Sequence, residues 1–264
     1  HVVRCFQDAD VVHVEGSVDP LRDIAIIENE LVLADMESLE KRVERLAKLA
    51  RSDKEVSKKH DAVTALQKHL EEGLPVRTFP GHDDDAIQPT LRDLRFLTDK
   101  TTIFVANVGE TEAAADNDAT RSVRDYAARH GETCVRICAK IEEDMAGLPD
   151  AERAEFLSSY GIPESGLDVI VRAGYGALGL ASFLTAGPKE VRAWTFRRGW
   201  KAPKAASVIH TDFERGFIRA QVIAFDDYVR HGGEQPCKAL GLARMEGKDY
   251  EVADGDVVEF LFNV

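Results

Sequence analysis

Between residues 28 and 73 the chain places apolar side chains at alternating intervals of four and three: Val32, Met36, Leu39, Val43, Leu46 and Ala50. That spacing is a heptad seam. After a polar break at Ser52-Asp53, the residues Val56, Val63, Leu66 and Leu70 continue at compatible spacing until Gly73 and Pro75 close the segment. Twenty of these 46 residues are charged, so only a narrow stripe can be buried, which suits a projecting arm better than an ordinary core helix pair. An antiparallel helical coiled-coil hairpin is therefore expected over residues 28–74. Upstream, Asp19-Pro20 has the form of a helix start, with Asp as the cap and Pro at the first helical position.

The flanks of the hairpin read as α/β. The run Thr101-Thr102-Ile103-Phe104-Val105-Ala106-Asn107-Val108 is apolar on both faces, as a strand buried in a parallel sheet must be. A helix at 119–130, a strand at 133–139 and a further helix follow, and such alternation is the mark of an α/β layer. At the front, residues 1–6 are already strand-like, and Val11 to Val14 form a second short apolar run. A globular chain seldom begins inside its own sheet, so an N-terminal portion of the natural protein is expected to precede His1. From about residue 182 the texture changes to short strands and turns, expected at 190–196, 217–224, 248–252 and 257–262. The expected division is 1–27 with 75–180 as one α/β domain, 28–74 as its inserted arm, and 181–264 as a small α+β module.

Charge sharpens that division. The chain carries 34 Lys+Arg against 47 Asp+Glu, a net −13 that argues against a general polyanion binder. Residues 181–264, however, hold 12 of each sign, so the whole excess belongs to residues 1–180. Within the neutral module, residues 189–204 contain six basic side chains and one acidic one, a local basic stripe. No run approaches the ~18 apolar residues of a membrane span, and no leader pattern is visible, so no membrane partner is expected. The cysteines Cys5, Cys134, Cys138 and Cys237 form no CxxC pair or framework spacing, which fits a reducing, cytoplasmic setting. Cys134 and Cys138, four apart, are expected to be small buried hydrophobes rather than a redox pair.

Three motifs invite a chemical reading. Gly174-Tyr175-Gly176-Ala177-Leu178-Gly179 matches G-x-G-x-x-G and follows Val169-Ile170-Val171, but no acidic residue stands about 20 positions on, and 168–180 also reads as a helix. An oxidoreductase binding a dinucleotide there is the weaker alternative. The acidic run His82-Asp83-Asp84-Asp85 reads as a solvated loop, since no second ligand cluster shares its spacing. Asn107-Val108-Gly109-Glu110 sits where a buried strand meets its loop, the edge at which α/β proteins bind ligands. An Asn amide donates and accepts at once, so it can pair with adenine; guanine instead needs a carboxylate for its two N–H donors. A second strand end, Cys138-Ala139-Lys140, lies 31 residues on and can feed a loop to the same base.

These residues, with His13-Val14-x-Gly16-x-Val18-Asp19-Pro20, the segment from Phe183 to Gly187, Glu190 to Thr195, and Ile209 through Ala220, resemble the YchF/Obg-like ATPase family of P-loop proteins over essentially all 264 residues. The resemblance implies the C-terminal part of a P-loop G domain with a parallel sheet, an inserted helical coiled-coil hairpin, and a C-terminal TGS domain of ubiquitin-like β-grasp fold. It implies that Asn107 contacts adenine by its side chain and Val108 by its backbone, with Glu110 supporting the loop and Cys138-Ala139 lining the pocket. Asn-x-x-Glu in place of Asn-Lys-x-Asp is what the family uses to prefer ATP, with GTP as a second substrate. It also implies docking on the ribosome or ribosomal RNA, without DNA specificity, through phosphate contacts from Lys189, Arg192, Arg197, Arg198, Lys201 and Lys204, with His210 and Arg215 nearby. For His210 and Arg215, turn and cap chemistry ahead of Phe213 and Phe217 is the competing assignment.

No G-x-x-x-x-G-K-[ST] occurs in these residues, so the phosphate cradle and the Ser/Thr that would hold Mg²⁺ are not among them. The intact protein is expected to hydrolyse ATP slowly, and this stretch alone to be inactive. A non-enzymatic adaptor that binds ribosome or RNA through the arm and the terminal module is the alternative.

Overall fold

A computed structural model describes residues 1–8, 16–50, 53–188 and 190–263. The apolar run from Val11 to Val14, with the motif residues His13 and Val14, and Lys189 of the basic stripe, lie outside the described residues. The chain divides into two compact units, His1–Ala173 and Gly174–Val264. Among the described residues no helix is long and apolar enough to cross a membrane. The chain is a mixed α/β protein with one parallel and one mixed sheet.

The first unit is built on a three-stranded parallel sheet in the order β1 (Val2–Arg4), β2 (Ile103–Asn107), β3 (Thr133–Ile137). Val3 pairs with Ala106 and Arg4 with Asn107, while Asn107 pairs with Ile137 on its other side. All three strands therefore end together. Phe104, Val105 and Ala106 are buried in succession, so β2 is covered on both faces as its apolar run requires. Helix α4 (Asp118–Arg129) packs on β2 and β3, capped by Asn117, whose Oδ1 accepts from the Thr120 amide at 2.8 Å and whose Nδ2 donates to the Cys5 carbonyl at 2.8 Å.

Helix α1 (Pro20–Leu49) starts where Asp19-Pro20 demands, the Asp19 carboxylate accepting from the Arg22 amide at 3.2 Å. Its first turns send Ile24 into the sheet's core, and its later turns pack on α2 (Lys54–Glu71), which Asp53 caps. The stripe Val32, Leu39, Leu46, Val63, Leu66 and Leu70 is buried, but it is not closed by the two helices alone. Val76, Ile87, Leu91 and Phe96, from a 3₁₀ turn (Val76–Thr78) and from α3 (Gln88–Leu94) and its flanks, join the same apolar cluster. Buried Asp35 fastens that segment to α1, accepting from the amides of Leu97 and Thr98 and from the Thr98 hydroxyl, each within 2.8 Å. Three further helices, α5 (Ala139–Asp144), α6 (Asp150–Ser159) and α7 (Gly166–Ala177), complete the described elements up to residue 179.

The second unit carries a five-stranded sheet. Its strands are β4 (Leu180–Ala186), β5 (Val191–Arg197), β6 (Phe217–Ala224), β7 (Arg244–Glu246) and β8 (Asp256–Phe262), in the spatial order β5-β4-β8-β6-β7. Neighbours run antiparallel except β4 and β8, which are parallel. Helices α8 (Ala202–Ala206) and α9 (Thr211–Arg215) lie over Phe183, Phe196, Val222 and Phe260 on one face. On the other face α10 (Phe225–His231) and α11 (Glu234–Ala239) cover Ile223 and Val257. The strand expected at 248–252 is absent: only an isolated bridge from Glu251 to Lys201 forms there, and Lys248 and Asp249 turn in solvent. Between Arg215 and β6, Gly216 is required for space, because a Cβ would stand 2.2 Å from the Asn263 carbonyl oxygen.

Candidate nucleotide-base site

The site is assembled where β2 and β3 end. The Asn107 carbonyl accepts from the Cys5 amide at 2.8 Å, and the Val108 amide donates to the Ile137 carbonyl at 2.9 Å, so the backbone on either side of Asn107 is clamped to both neighbouring strands. Its side chain then reaches across to the next loop: Oδ1 accepts from the Ala139 amide at 3.0 Å. Sequence spacing placed Asn107 and Cys138-Ala139 on two strand termini; the fold joins them by this bond. Among the described residues the Asn107 Nδ2 has no protein partner, and its half-buried position leaves it reachable.

Val108 and Cys138 are buried, so their side chains belong to the core and only their backbones face the loop. Cys138 is also the residue before α5, and its carbonyl accepts from the Glu142 amide at 3.2 Å. Glu110 is exposed at the start of a 3₁₀ turn (Glu110–Glu112), where its Oε1 accepts from the Tyr160 hydroxyl at 3.2 Å. Below the loops, Glu142 accepts from the Ser165 hydroxyl and the Gly166 amide, and Lys140 pairs with Asp144 at 2.8 Å. Asp144 and then Glu143 hold the Lys140 ammonium well above the usual lysine range. Sequence reasoning missed Tyr160. Fifty positions separate it from Glu110, and no spacing rule links a helix end to a strand loop.

Behind β3 lies a cavity of about 250 Å³ lined by Cys134, Cys138, Arg124, Arg136, Glu142 and Gly166 among others, separate from the Asn107–Ala139 contact. Burial raises the Cys134 thiol and pushes Cys5 up to about 12, so both stay protonated, as inert core cysteines do. All four cysteines are free.

The other candidates resolve differently. Gly174 and Gly176 lie inside α7 rather than on a turn between strand and helix, and Gly179 takes φ +62° in the turn before β4. The dinucleotide fingerprint is thus a chance match, since the backbone cannot cup a pyrophosphate from mid-helix. In the acidic loop, Asp84 accepts from the Ala86 amide and His82 pairs with Asp99 at 2.7 Å, a contact that raises the imidazole above its ordinary value. Among the described residues no three His, Cys, Asp or Glu side chains are grouped to hold a metal ion.

The basic stripe is less positive in space than in sequence. Arg198 meets Asp254 at 3.2 Å, Lys201 meets Asp249 at 2.6 Å, Lys204 meets Glu214 at 3.7 Å, and Arg215 pairs with Asp212. Arg192 lies over the Trp194 ring at 4.2 Å and within 3.8 Å of Glu190. Arg197 is exposed and has no ion pair among the described residues. His210 caps α9, its Nδ1 accepting from the Asp212 amide at 3.2 Å.

The family model YchF-GTPase_C, described as "Protein of unknown function (DUF933)", matches residues 180–263. The "Ribosome-binding ATPase YchF" of Haemophilus influenzae is 48% identical over 265 residues, covering the whole of this chain and 72% of that protein. The protein of the same name from Bacillus subtilis is 45% identical over 267 residues, again covering this whole chain and 72% of its own length. Among solved structures, the Schizosaccharomyces pombe YchF GTPase superposes with a TM-score of 0.78 at 31% identity, over 98% of this chain and 71% of that one. Identity at this level over the whole length of the chain makes it a member of the YchF family.

Proposed function

We propose that the intact protein is a ribosome-associated, Obg-like nucleotide switch that binds ATP, hydrolyses it slowly, and accepts GTP as a second substrate. The relatives' names, ribosome-binding ATPase and GTPase, support the class. The observation that carries the base assignment is the 3.0 Å bond between the Asn107 Oδ1 and the Ala139 amide. It sets the amide plane, so that Nδ2 can donate to a ring nitrogen of adenine while Oδ1 keeps a second lone pair for the exocyclic amine.

The phosphate half of the reaction lies outside these residues. With no G-x-x-x-x-G-K-[ST] sequence, and no grouped set of ligands among the described residues, this stretch does not fit Mg²⁺. The stretch alone is therefore expected not to turn over ATP.

The assignment of the second unit as a β-grasp TGS module rests on its strand order: numbered within the module it is 2-1-5-3-4, with the first and last strands parallel and helices between the second and third. The assignment of residues 28–74 as a coiled-coil arm rests on the buried heptad stripe. Ribosome contact through Arg192, Arg197 and their neighbours would use phosphate oxygens and need no base reading. The cytoplasm is the compartment that such a partner and four free thiols imply.

ATP titration of the intact protein tests the proposal. Wild type should show saturable binding, and Asn107→Ala should weaken it by about tenfold or more, the worth of one bidentate base contact. Absence of saturable ATP binding would leave the non-enzymatic adaptor in its place.

A further inference from the structure

We propose that Tyr160 is a positioning residue for base selection: its hydroxyl holds one oxygen of Glu110 and so fixes the carboxylate out of the in-plane, two-oxygen alignment that guanine would require, favouring adenine. The proposal rests on the assignment of the Asn107 loop as the base site.

The geometry is local to the two base loops. Glu110 stands three residues after Asn107, at the position where a guanine-reading loop presents its carboxylate. Tyr160 follows α6 and reaches Glu110 Oε1 at 3.2 Å. Its ring is braced by Phe156, with centroids 5.3 Å apart at 57°, and its amide donates to the Leu157 carbonyl at 3.1 Å. Burial, and then the Glu110 carboxylate, raise the phenol above its ordinary value, so at neutral pH it is a donor.

The chemistry follows from the two bases. Guanine offers N1–H and N2–H side by side, and a carboxylate accepts both only when it can turn both of its oxygens toward them in one plane. At the same edge adenine offers a lone pair at N1 and only a C2–H beside it, so a carboxylate turned toward that edge would set acceptor against acceptor. Tying Oε1 to Tyr160 weakens the guanine pairing and turns negative charge from the adenine edge. Both effects point the same way.

The experiment uses the intact protein and fluorescent mant-ATP and mant-GTP as probes. Variants are Tyr160→Phe, Glu110→Gln, the double variant, and Asn107→Ala as the site control. Tyr160→Phe keeps the ring and its packing, and should tighten GTP relative to ATP by about three- to tenfold, the range for one ordinary intramolecular hydrogen bond. In the Glu110→Gln background the same substitution should leave the ratio unchanged. A merely structural role for Tyr160 would move both nucleotides equally, and that result, or an unchanged ratio, or the same shift without the Glu110 carboxylate, overturns the proposal while Asn107→Ala still weakens both probes. Unaltered binding of both probes by Asn107→Ala refutes the base-site assignment itself, and the proposal with it.

Discussion

Removing Arg77 should destabilise the first unit, and more at alkaline pH than at acid pH. Arg77 sits in the 3₁₀ turn after α2, where its Nε lies 2.6 Å from Glu132 Oε1, its Nη2 lies 3.5 Å from Glu28, and its Nη1 donates to the Thr98 carbonyl at 3.2 Å. The Glu132 side chain is only 5% exposed, and the Arg77 guanidinium is the largest compensation for its charge. Burial raises the Glu132 carboxyl above its usual value, Arg77 opposes that, and Glu28 adds to it. Breaking a buried pair from one side costs about 3–5 kcal/mol, and because Arg77 is 21% exposed the low end, about 3 kcal/mol, applies to Arg77→Met.

The pH dependence of that loss has a definite sign. A carboxyl whose folded value is raised binds its proton more tightly in the folded state, so its contribution is present below the unfolded value of 4.5 and is lost as pH rises through the folded value. Without Arg77 the folded value climbs further, and the ionised form costs more. The deficit of Arg77→Met against wild type should therefore be larger near pH 8 than near pH 5, and Arg77→Met/Glu132→Gln should recover most of it. Urea unfolding followed by far-UV circular dichroism reads the helix-rich first unit, while the fluorescence of Trp194 and Trp200, both in the second unit, serves as the internal control. A deficit under about 1 kcal/mol, or one independent of pH, or one that Glu132→Gln does not relieve, would refute the reasoning.

Two glycines should respond in opposite directions. Gly216→Ala drives a Cβ into the Asn263 backbone and should cost the second unit about 1–3 kcal/mol by the tryptophan transition, whereas Gly176→Ala, with nothing within 4 Å and a place inside α7, should be neutral or gain about 0.5–1 kcal/mol. On the basic stripe, Arg192→Gln/Arg197→Gln should lower the slope of ribosome cosedimentation affinity against log salt by about 1–2, with an unchanged slope counting against phosphate contacts there.

What could be seen in the sequence was whatever is periodic or adjacent. The seam from Val32 to Leu70 and the unbroken apolar run of β2 announce their partners by spacing alone, because each buries a face whose repeat equals the repeat of the backbone. The cap at Asp19-Pro20 is adjacent chemistry and formed as the residues require. What escaped was set by tertiary contact. The closure of the α1–α2 pair by Val76, Ile87 and Phe96 involves a stretch with no period, held by a single buried carboxylate, Asp35, that in sequence is one charge among the many of α1. Residues 248–252 alternate as a strand should, yet Lys248 and Asp249 turn in solvent and Glu251 only bridges Lys201, its neighbours Tyr250 and Val252 bonding to Ala202 and Trp200 rather than to a strand of the sheet.

Charge misled for the same reason. A count along residues 189–204 finds six cations against one anion, but Asp254, Asp249 and Glu214 arrive from elsewhere in the fold to meet three of those basic side chains. Exposed pairs of this kind contribute little to stability, at most about 1 kcal/mol each, so a phosphate surface can displace them at small cost. The base loop shows the converse. Asn107 and Glu110 were visible as a motif, but a motif names side chains without saying which of their atoms are free. The Ala139 amide takes one lone pair of Asn107 and leaves its donors open, while the Tyr160 hydroxyl takes one oxygen of Glu110. On the proposed base assignment, selectivity at this loop depends on which side-chain orientations the fold has already fixed, a property of residues 139 and 160 as much as of 107 and 110.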